Sequence, residues 1–346
     1  MKNSLFREGG PYNIRKTGPE EHSLSIPIPA DECGRVARTC PSGTCSPGYF
    51  RVKPGTGLLE GVEVAYCPYC RHVANPEEFT TEEQIRYAQD IAMREVEKGV
   101  DQLVKDTFGL NSSGKKKHDA GFASLEWRYK PAPRRLVRWP VEEELRRVVV
   151  CPHCGLDHAV FGMAIWCPNC GKDIFMAHVG AELAVVLTIL ADVERRRNEL
   201  GPRVAAKDLE NCLEDTVSIF EAAAKATVAW CLRSNGKQDE DIQEFLRRTV
   251  KTSFQSIDRT TTLLLEHFQL DLSQHMDEEV VQRLRNAFEK RHPITHNLGV
   301  IDRKYVERAL TEDLEGREVR VTEEEIRQAV EDAGKMLEVV HDQLIN

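Results

Sequence analysis

Residues 151–170 read CPHCGLDHAVFGMAIWCPNC, and this stretch predicts the fold around it. Two C-x-x-C pairs, Cys151 with Cys154 and Cys167 with Cys170, are separated by twelve residues. Two such pairs supply the four thiolates of a tetrahedral metal site. The spacing therefore predicts a zinc ribbon. All four coordination positions are filled by protein, so the ion should be structural.

The residues between the two pairs should form the strand of this ribbon, with Val160, Phe161, Ile165 and Trp166 as its apolar positions. His153 and His158 are the other metal-binding side chains in the stretch. Because four thiolates already complete the site, we interpret both histidines as surface residues.

A second cysteine cluster lies upstream in TCPSGTC and YCPYC, which contain Cys40, Cys45, Cys67 and Cys70. About twenty residues with turn-forming Gly and Pro separate the two knuckles, as in a zinc ribbon. The first knuckle is wider than C-x-x-C, and Cys33 is an alternative ligand in place of Cys40 or Cys45. Free buried thiols are the disfavoured alternative, because Pro and Gly crowd these positions.

The composition limits the class of protein. A chain of 346 residues should contain two or three units, and a net charge of −9 restricts any nucleic-acid contact to a local patch. Eight of the eleven cysteines fall in short-spaced pairs, which favours metal binding over disulfides. The N-terminus lacks the apolar core of a secretory signal, and no long apolar run is evident, so we expect a soluble, cytoplasmic protein.

Between the cysteine clusters the pattern changes. Residues 80–83 provide an N-cap followed by acidic residues in the first turn of a helix. Apolar residues then recur at helical spacing to about Phe108, which predicts one long helix. Residues 111–121, which include three consecutive lysines, are predicted to be an exposed loop.

Residues 126–139, EWRYKPAPRRLVRW, combine aromatic rings with cations. Rings can stack on bases while cations contact phosphates, so the segment is a candidate for binding single-stranded RNA. Strands whose aromatics are core and whose charges are solvated are an equal alternative. The candidate RNA-binding residues are Trp127, Arg128, Tyr129, Lys130, Arg134, Arg135 and Arg138.

From His178 the chain is predicted to be nearly all helix. Gly201-Pro202 and Asn235-Gly236 break the apolar periodicity, a third helix runs from about Glu240 to Phe268, and a fourth begins near Asp277. A capping box at Thr322 opens the last helix. Cys212 and Cys231 are predicted to be core thiols, not ligands. Amphipathic helices with short connections predict a bundle.

The fourth helix leads into residues 291–297, RHPITHN. Arginine can hold a phosphate through paired donors, and histidine can move a proton at neutral pH. If His292 begins a new helix, Pro293 falls in its first turn, and Arg291 and His296 could reach one anion at that N-terminus. Asp302 and Tyr305, which follow, are interpreted as a helix cap and a core residue.

The R-(N/H/D)-x-x-x-H pattern of RHPITHN, late in a helical bundle and followed by GVID and a tyrosine, resembles HEPN domains. The resemblance covers about half the chain. With the cysteine spacing and the helical periodicity, it predicts an α+β multidomain protein with N-terminal zinc-ribbon β modules, one long helix and a C-terminal all-α HEPN-like bundle. The expected segments are an arm with the first ribbon (1–75), the helix and basic loop (76–121), the basic segment with the second ribbon (122–177), and the bundle (178–346).

The resemblance also implies a metal-independent endoribonuclease that acts as a homodimer. Arg291 and His296 would be catalytic, with His292 and Asn297 orienting the substrate, and the product would be a 2′,3′-cyclic phosphate. Two structural zinc ions would be the cofactors, and RNA or a regulatory protein the partner. Joining of a sensor to such an effector resembles bacterial stress and anti-phage defence proteins.

A rival hypothesis is a zinc-ribbon adaptor whose helical half dimerises and binds RNA or protein without catalysis. A zinc hydrolase is disfavoured, because no H-E-x-x-H motif occurs.

Overall fold

The computed structural model describes residues 6, 8–19, 21–57, 63–119, 124–140, 147–309 and 313–345. It is a mixed α/β protein with small sheets and a C-terminal helical region. Two compact units are present, one formed by residues 1–39 with 79–144 and the other by residues 40–78 with 145–346. Both units are discontinuous in sequence, unlike the consecutive segments expected above.

In the first unit, short strands β1 (Arg15–Lys16) and β2 (His22–Ser23) pair with each other, and β3 spans Val36–Thr39. The alternation of Leu24, Ile26 and Ile28 in the sequence predicts a strand at the end of the arm, but the chain there is irregular. The long helix is confirmed. Helix α1 spans Glu82–Phe108, begins with a capping box between Thr81 and Gln84, and ends at Gly109 in the left-handed conformation.

The predicted lysine loop is wrong for residues 115–119, which form one strand of a β-hairpin. Strand β7 (Lys115–Asp119) pairs with β8 (Ser124–Arg128) in an antiparallel register that sets Lys116 opposite Trp127. Gly114 makes the entry turn possible, since its φ is 75° and a side chain there would meet the Tyr129 carbonyl oxygen at 2.6 Å. Residues 120 and 121 of the predicted loop lie outside the described residues.

The second unit contains the cysteine knuckles. Strands β4 (Tyr49–Val52), β9 (Arg147–Val150) and β10 (Asp157–Val160) form an antiparallel sheet in which β10 lies between the other two. A smaller pair joins β5 (Ala65–Tyr66) to β6 (Val73–Ala74). Strands from the two cysteine regions therefore share one sheet, although about 100 residues separate them.

The helices of this unit begin and end close to the predicted breaks. Gly201 separates the first two, and a capping box between Thr322 and Glu325 precedes the last, as predicted. Leu310, predicted to be helical, lies outside the described residues. The helices are α2 (Phe175–Leu200), α3 (Pro202–Ser234), α4 (Asp239–Phe245), α5 (Ile257–Phe268), α6 (Glu278–Asn297), α7 (Arg303–Ala309) and α8 (Glu323–Ile345).

The single helix predicted between residues 240 and 268 is wrong. After α4 the chain forms a π-helical turn over Leu246–Val250 and a 3-10 turn over Ser253–Gln255 before α5 begins. Lys251, with a φ of 47°, breaks the helix. Val250, Phe254 and Ile257, which lie on either side of this break, all belong to the core.

The core lies between α2, α3, α5, α6 and α8. Phe220 and Phe288 pack edge to face there, with ring centroids 5.2 Å apart. Helix α2 is long and apolar enough to cross a membrane by length and composition, but its buried residues, such as Val186 and Leu190, belong to this core. Cys212 and Cys231 are buried in α3, as predicted.

Phe220→Ala should lower the free energy of unfolding of the helical unit by about 3–5 kcal/mol, since it leaves a cavity at a fully buried ring. The exposed Leu265→Ala is the control and should stay within about 0.5 kcal/mol of wild type. Urea unfolding followed by far-ultraviolet circular dichroism measures both. Equal stabilities of the two variants would contradict this assignment of the core.

Candidate functional site

The cysteines of residues 151–170 form one cluster. Cys151 Sγ lies 3.8 Å from Cys170 Sγ, and Cys154 Sγ lies 3.6 Å from Cys167 Sγ. A tetrahedral ion with Zn–S bonds of about 2.3 Å separates its sulfurs by about 3.8 Å, whereas a disulfide joins them at about 2.05 Å. The cluster therefore has the dimensions of a metal site.

The upstream cysteines form a second cluster with the same dimensions. Cys40 Sγ lies 3.7 Å from Cys70 Sγ, and Cys45 Sγ lies 3.6 Å from Cys67 Sγ. Cys33 is exposed and does not belong to the cluster, which resolves the choice of ligands. Each cluster could hold one metal ion. Burial raises the pKa of the Cys167 thiol, so a bound cation would be needed to keep that thiol deprotonated at neutral pH.

The two knuckle regions are joined by backbone hydrogen bonds. The amide groups of Ile165 and Trp166 both donate to the Pro68 carbonyl, and the Tyr66 amide donates to the Pro168 carbonyl. Gly171 makes this approach possible, because a side chain there would meet the Tyr66 ring at 2.7 Å. The clusters therefore belong to one interleaved structure.

The knuckles are also fixed to the helices. His178 on α2 accepts a 2.9 Å hydrogen bond from the Ala164 amide through Nδ1, and burial lowers its pKa to about 4, so the ring is neutral. His341 on α8 lies 2.8 Å from the Asp173 carboxylate and stacks on Phe175.

Of the two histidines within the cysteine stretch, His153 is exposed as predicted, whereas the prediction for His158 is wrong. His158 is fully buried on β10, because that strand lies between two others.

The RHPITHN stretch lies at the C-terminal end of helix α6, which continues through Pro293 to Asn297. The predicted new helix at His292 is therefore wrong, and so is the argument from a phosphate at its N-terminus. A helix C-terminus carries partial negative charge, which favours cations. Leu298 ends the helix in the left-handed conformation, with a φ of 52°.

The helix brings three of the four predicted catalytic residues together. The His292 and His296 rings lie on one face, with centroids 5.1 Å apart, and His296 is exposed. Asn297 donates a 3.0 Å hydrogen bond to Asp302, whose carboxylate also lies 3.7 Å from His292 Nε2. Asp302 caps α7 through the Tyr305 amide, and Tyr305 is buried, as interpreted from the sequence.

Arg291 lies apart from this group. Five residues along an α-helix correspond to about 140° of rotation, so Arg291 and His296 leave α6 on different faces. Arg291 Nη1 donates to the Gln255 side chain at 3.1 Å, and Gln255 in turn donates to Glu221. Among the described residues, Arg291 Nε has no hydrogen-bond acceptor.

Helix α7 adds two cations that the sequence reasoning missed. Lys304 and Arg308 are exposed one turn apart, and both lie near enough to His292 to act on its charge. Burial lowers the pKa of His292, and Lys304 acts in the same direction against the opposing effect of Asp302. The i, i+4 spacing of Lys304 and Arg308 in RKYVERA was the available signal.

The predicted RNA-binding segment divides into two parts. Trp127, Arg128 and Tyr129 lie in or just after strand β8, and Tyr129 donates to Asp101. Lys130, Arg134, Arg135 and Arg138 lie on the irregular stretch that follows.

Part of that irregular stretch is held to helix α1. Arg138 makes a two-pronged ion pair with the buried Asp90 at 2.9 and 3.0 Å, and the Arg135 amide donates to Glu97. Arg138 therefore has a structural partner and is not a free phosphate contact.

No protein-family model, curated protein or solved structure matches this chain. The fold and the two sites define a protein that joins two interleaved clusters of four cysteines to a helical region.

Purified protein should contain two equivalents of zinc per chain, measured by inductively coupled plasma mass spectrometry. A Cys154→Ser, Cys170→Ser double variant should retain one equivalent, because two thiolates no longer complete a tetrahedron. Cys33→Ser is the matched control and should retain both. Loss of metal in the Cys33 variant, or no metal uptake by wild type, would contradict the ligand assignment.

Proposed function

We propose that the protein is a metal-independent endoribonuclease of the HEPN type, with zinc ions in its two cysteine clusters serving a structural role. The observation that supports it is the histidine pair at the end of α6, with ring centroids 5.1 Å apart beside Lys304 and Arg308. Two imidazoles with neighbouring cations form a group suited to metal-free cleavage of a phosphodiester.

In the proposed reaction, neutral His292 removes the proton from a ribose 2′-OH. The 2′-oxygen forms a bond to phosphorus, and the bond from phosphorus to the 5′-oxygen breaks. Protonated His296 gives its proton to that leaving oxygen. The products are a 2′,3′-cyclic phosphate and a free 5′-OH, so no metal-bound water takes part.

The assignment of base and acid follows from the surroundings of each ring. His292 is part-buried with its pKa lowered, which favours the neutral base. His296 is exposed beside it on the same face of α6, so it is the ring left to act as the acid. Lys304 and Arg308 attract the phosphate and stabilise the charge that develops on it, and Asn297 holds the Asp302 carboxylate beside His292.

The resemblance gives Arg291 the role of stabilising the phosphate. Since Arg291 and His296 leave α6 on different faces, this role requires that bound RNA, or the motif helix of a second subunit, span both faces. The homodimer inferred from the sequence would supply that second helix. The zinc knuckles would then serve RNA or partner recognition, and a role in bacterial defence or stress follows from the resemblance alone.

The adaptor alternative is supported by one contact. Arg291 is bonded to Gln255, which is bonded to Glu221, and such a chain of contacts would also serve only to join α6 to its neighbours.

Wild-type protein should cleave mixed single-stranded RNA in the presence of EDTA and leave DNA of the same sequence intact. His292→Ala and His296→Ala should each slow cleavage by at least about 100-fold, because each removes a proton-transfer group. Products are identified as 2′,3′-cyclic phosphates by mass spectrometry. Arg291→Ala, measured in parallel, should also lose cleavage.

The matched control is His275→Ala, an exposed histidine on the loop before α6, which should cleave at the wild-type rate. Each variant is first checked for its zinc content and oligomeric state. Cleavage that requires a divalent ion, or that survives both histidine substitutions, would rule out this mechanism. A lack of cleavage by wild type would favour the adaptor.

The rate of RNA cleavage should depend on pH through the protonation of His292. A base with a lowered pKa stays neutral to more acidic pH, so the rate should begin to fall only below the ordinary imidazole value of about 6.5. The groups facing His292 are Lys304, Arg308, His296 and Asp302. Lys304→Gln removes a neighbouring cation and should move this acidic limb to higher pH in a profile of kcat/KM, whereas an unmoved limb would exclude His292 as the base.

A further inference from the structure

A cavity of about 290 Å³ lies in the first unit, far along the chain from the histidine pair, lined by Phe108, Leu110, Lys116 and Trp127. Phe108 and Leu110 come from the end of α1, while Lys116 and Trp127 are directly opposed on strands β7 and β8. Drug-sized ligands occupy pockets of about 300–1,000 Å³. The cavity therefore suits a smaller planar group.

The walls of the cavity are fixed by main-chain contacts. Gly109 ends α1 in the left-handed conformation, and the Leu110 amide closes the helix end on the Lys105 carbonyl at 2.8 Å. Lys116 Nζ donates to the Phe108 carbonyl at 3.0 Å, so the hairpin is bonded to the helix end. The Tyr129 amide donates to Gly114 and closes the other end of the hairpin.

Two aromatic rings at this cavity remain open to solvent. Phe108 and Trp127 are each 54% exposed. Scattered exposed apolar residues are ordinary, but two aromatic rings that line one cavity form a patch, and such patches mark binding sites. Flat ring faces beside a cavity of this size are suited to stacking on an unpaired base.

The charge around the cavity is opposite to that of the whole chain. Between residues 115 and 138 the sequence has eight Lys and Arg against two Asp and Glu, in a chain of net charge −9. Arg138 is held by Asp90, and Lys115 and Arg128 both lie near Glu126. Residues 115–138 therefore keep an excess of positive charge, which attracts a phosphate backbone.

We propose that this cavity receives an unpaired base of single-stranded RNA, stacked on Trp127 and Phe108, while the lysines of β7 contact the adjoining phosphates. This inference rests on the proposed function, for which it supplies the substrate-holding surface. A base inside a duplex cannot enter the cavity, because it is already stacked and paired. The surface therefore selects single-stranded substrate.

The test uses the full chain and a fluorescein-labelled 12-nucleotide 2′-O-methyl oligouridine, whose blocked 2′-oxygen prevents cleavage. Fluorescence anisotropy should give an affinity that Trp127→Ala weakens about tenfold, since the stacking face is lost. Trp139→Ala is the matched control. Trp139 is 68% exposed in the same unit but packs on Tyr87, away from the cavity, and its loss should leave the affinity unchanged.

Two further variants distinguish the loss of a stacking face from misfolding of the hairpin. Phe108→Ala lies on α1 and should weaken binding without altering β7 or β8, and Trp127→Phe should retain most of the affinity because it keeps an aromatic face. Equal affinities for the Trp127→Ala and Trp139→Ala proteins, or an unaffected Phe108→Ala protein, would overturn the proposal. So would equal binding of the corresponding duplex or tighter binding of the corresponding DNA.

The outcome is separable from that of the proposed nuclease. Binding that depends on Trp127 without cleavage of RNA would retain this surface and reject the enzyme. Cleavage of RNA by a protein whose binding does not depend on Trp127 would retain the enzyme and reject this surface.

Discussion

The arrangement of the second unit depends on the four-thiolate clusters. Cys40 and Cys45 precede strand β4, Cys67 and Cys70 lie around the turn between β5 and β6, and the other four cysteines flank β10. These strands are only two to four residues long, too short to be stable alone. A metal ion bound in each cluster would supply the cross-links that a small apolar core otherwise provides.

Because the knuckles share a sheet and the Pro68 carbonyl, neither ribbon is an independent module. The Asp173–His341 contact and the bond from Ala164 to His178 extend the same connection into α2 and α8. Loss of metal would therefore disturb the packing of the helices as well as the knuckles.

The continuity of α6 through Pro293 determines which side chains lie together at its C-terminal end. A proline removes one backbone hydrogen bond from a helix interior, yet α6 continues through Pro293 to Asn297. A continuous helix places His292 and His296 four residues apart on one face and turns Arg291 away. It also replaces the expected N-terminus by a C-terminus, and the cations that act on His292 are Lys304 and Arg308 on the next helix.

The sequence by itself determined the features that depend on local spacing. The four cysteines of residues 151–170, the caps at Thr81 and Thr322 and the break at Gly201 could be read from neighbouring residues, whereas the exclusion of Cys33 from the upstream set needed the structure. Tertiary structure decided the pairing of β4 with β10, the burial of His158, the turn at Lys251, and the meeting of His292 with Lys304. Each of these depends on contacts between distant residues, for which the chain carries no local periodicity. Phe108 and Trp127 line one cavity for the same reason, since only the fold of the hairpin onto the helix end brings them together.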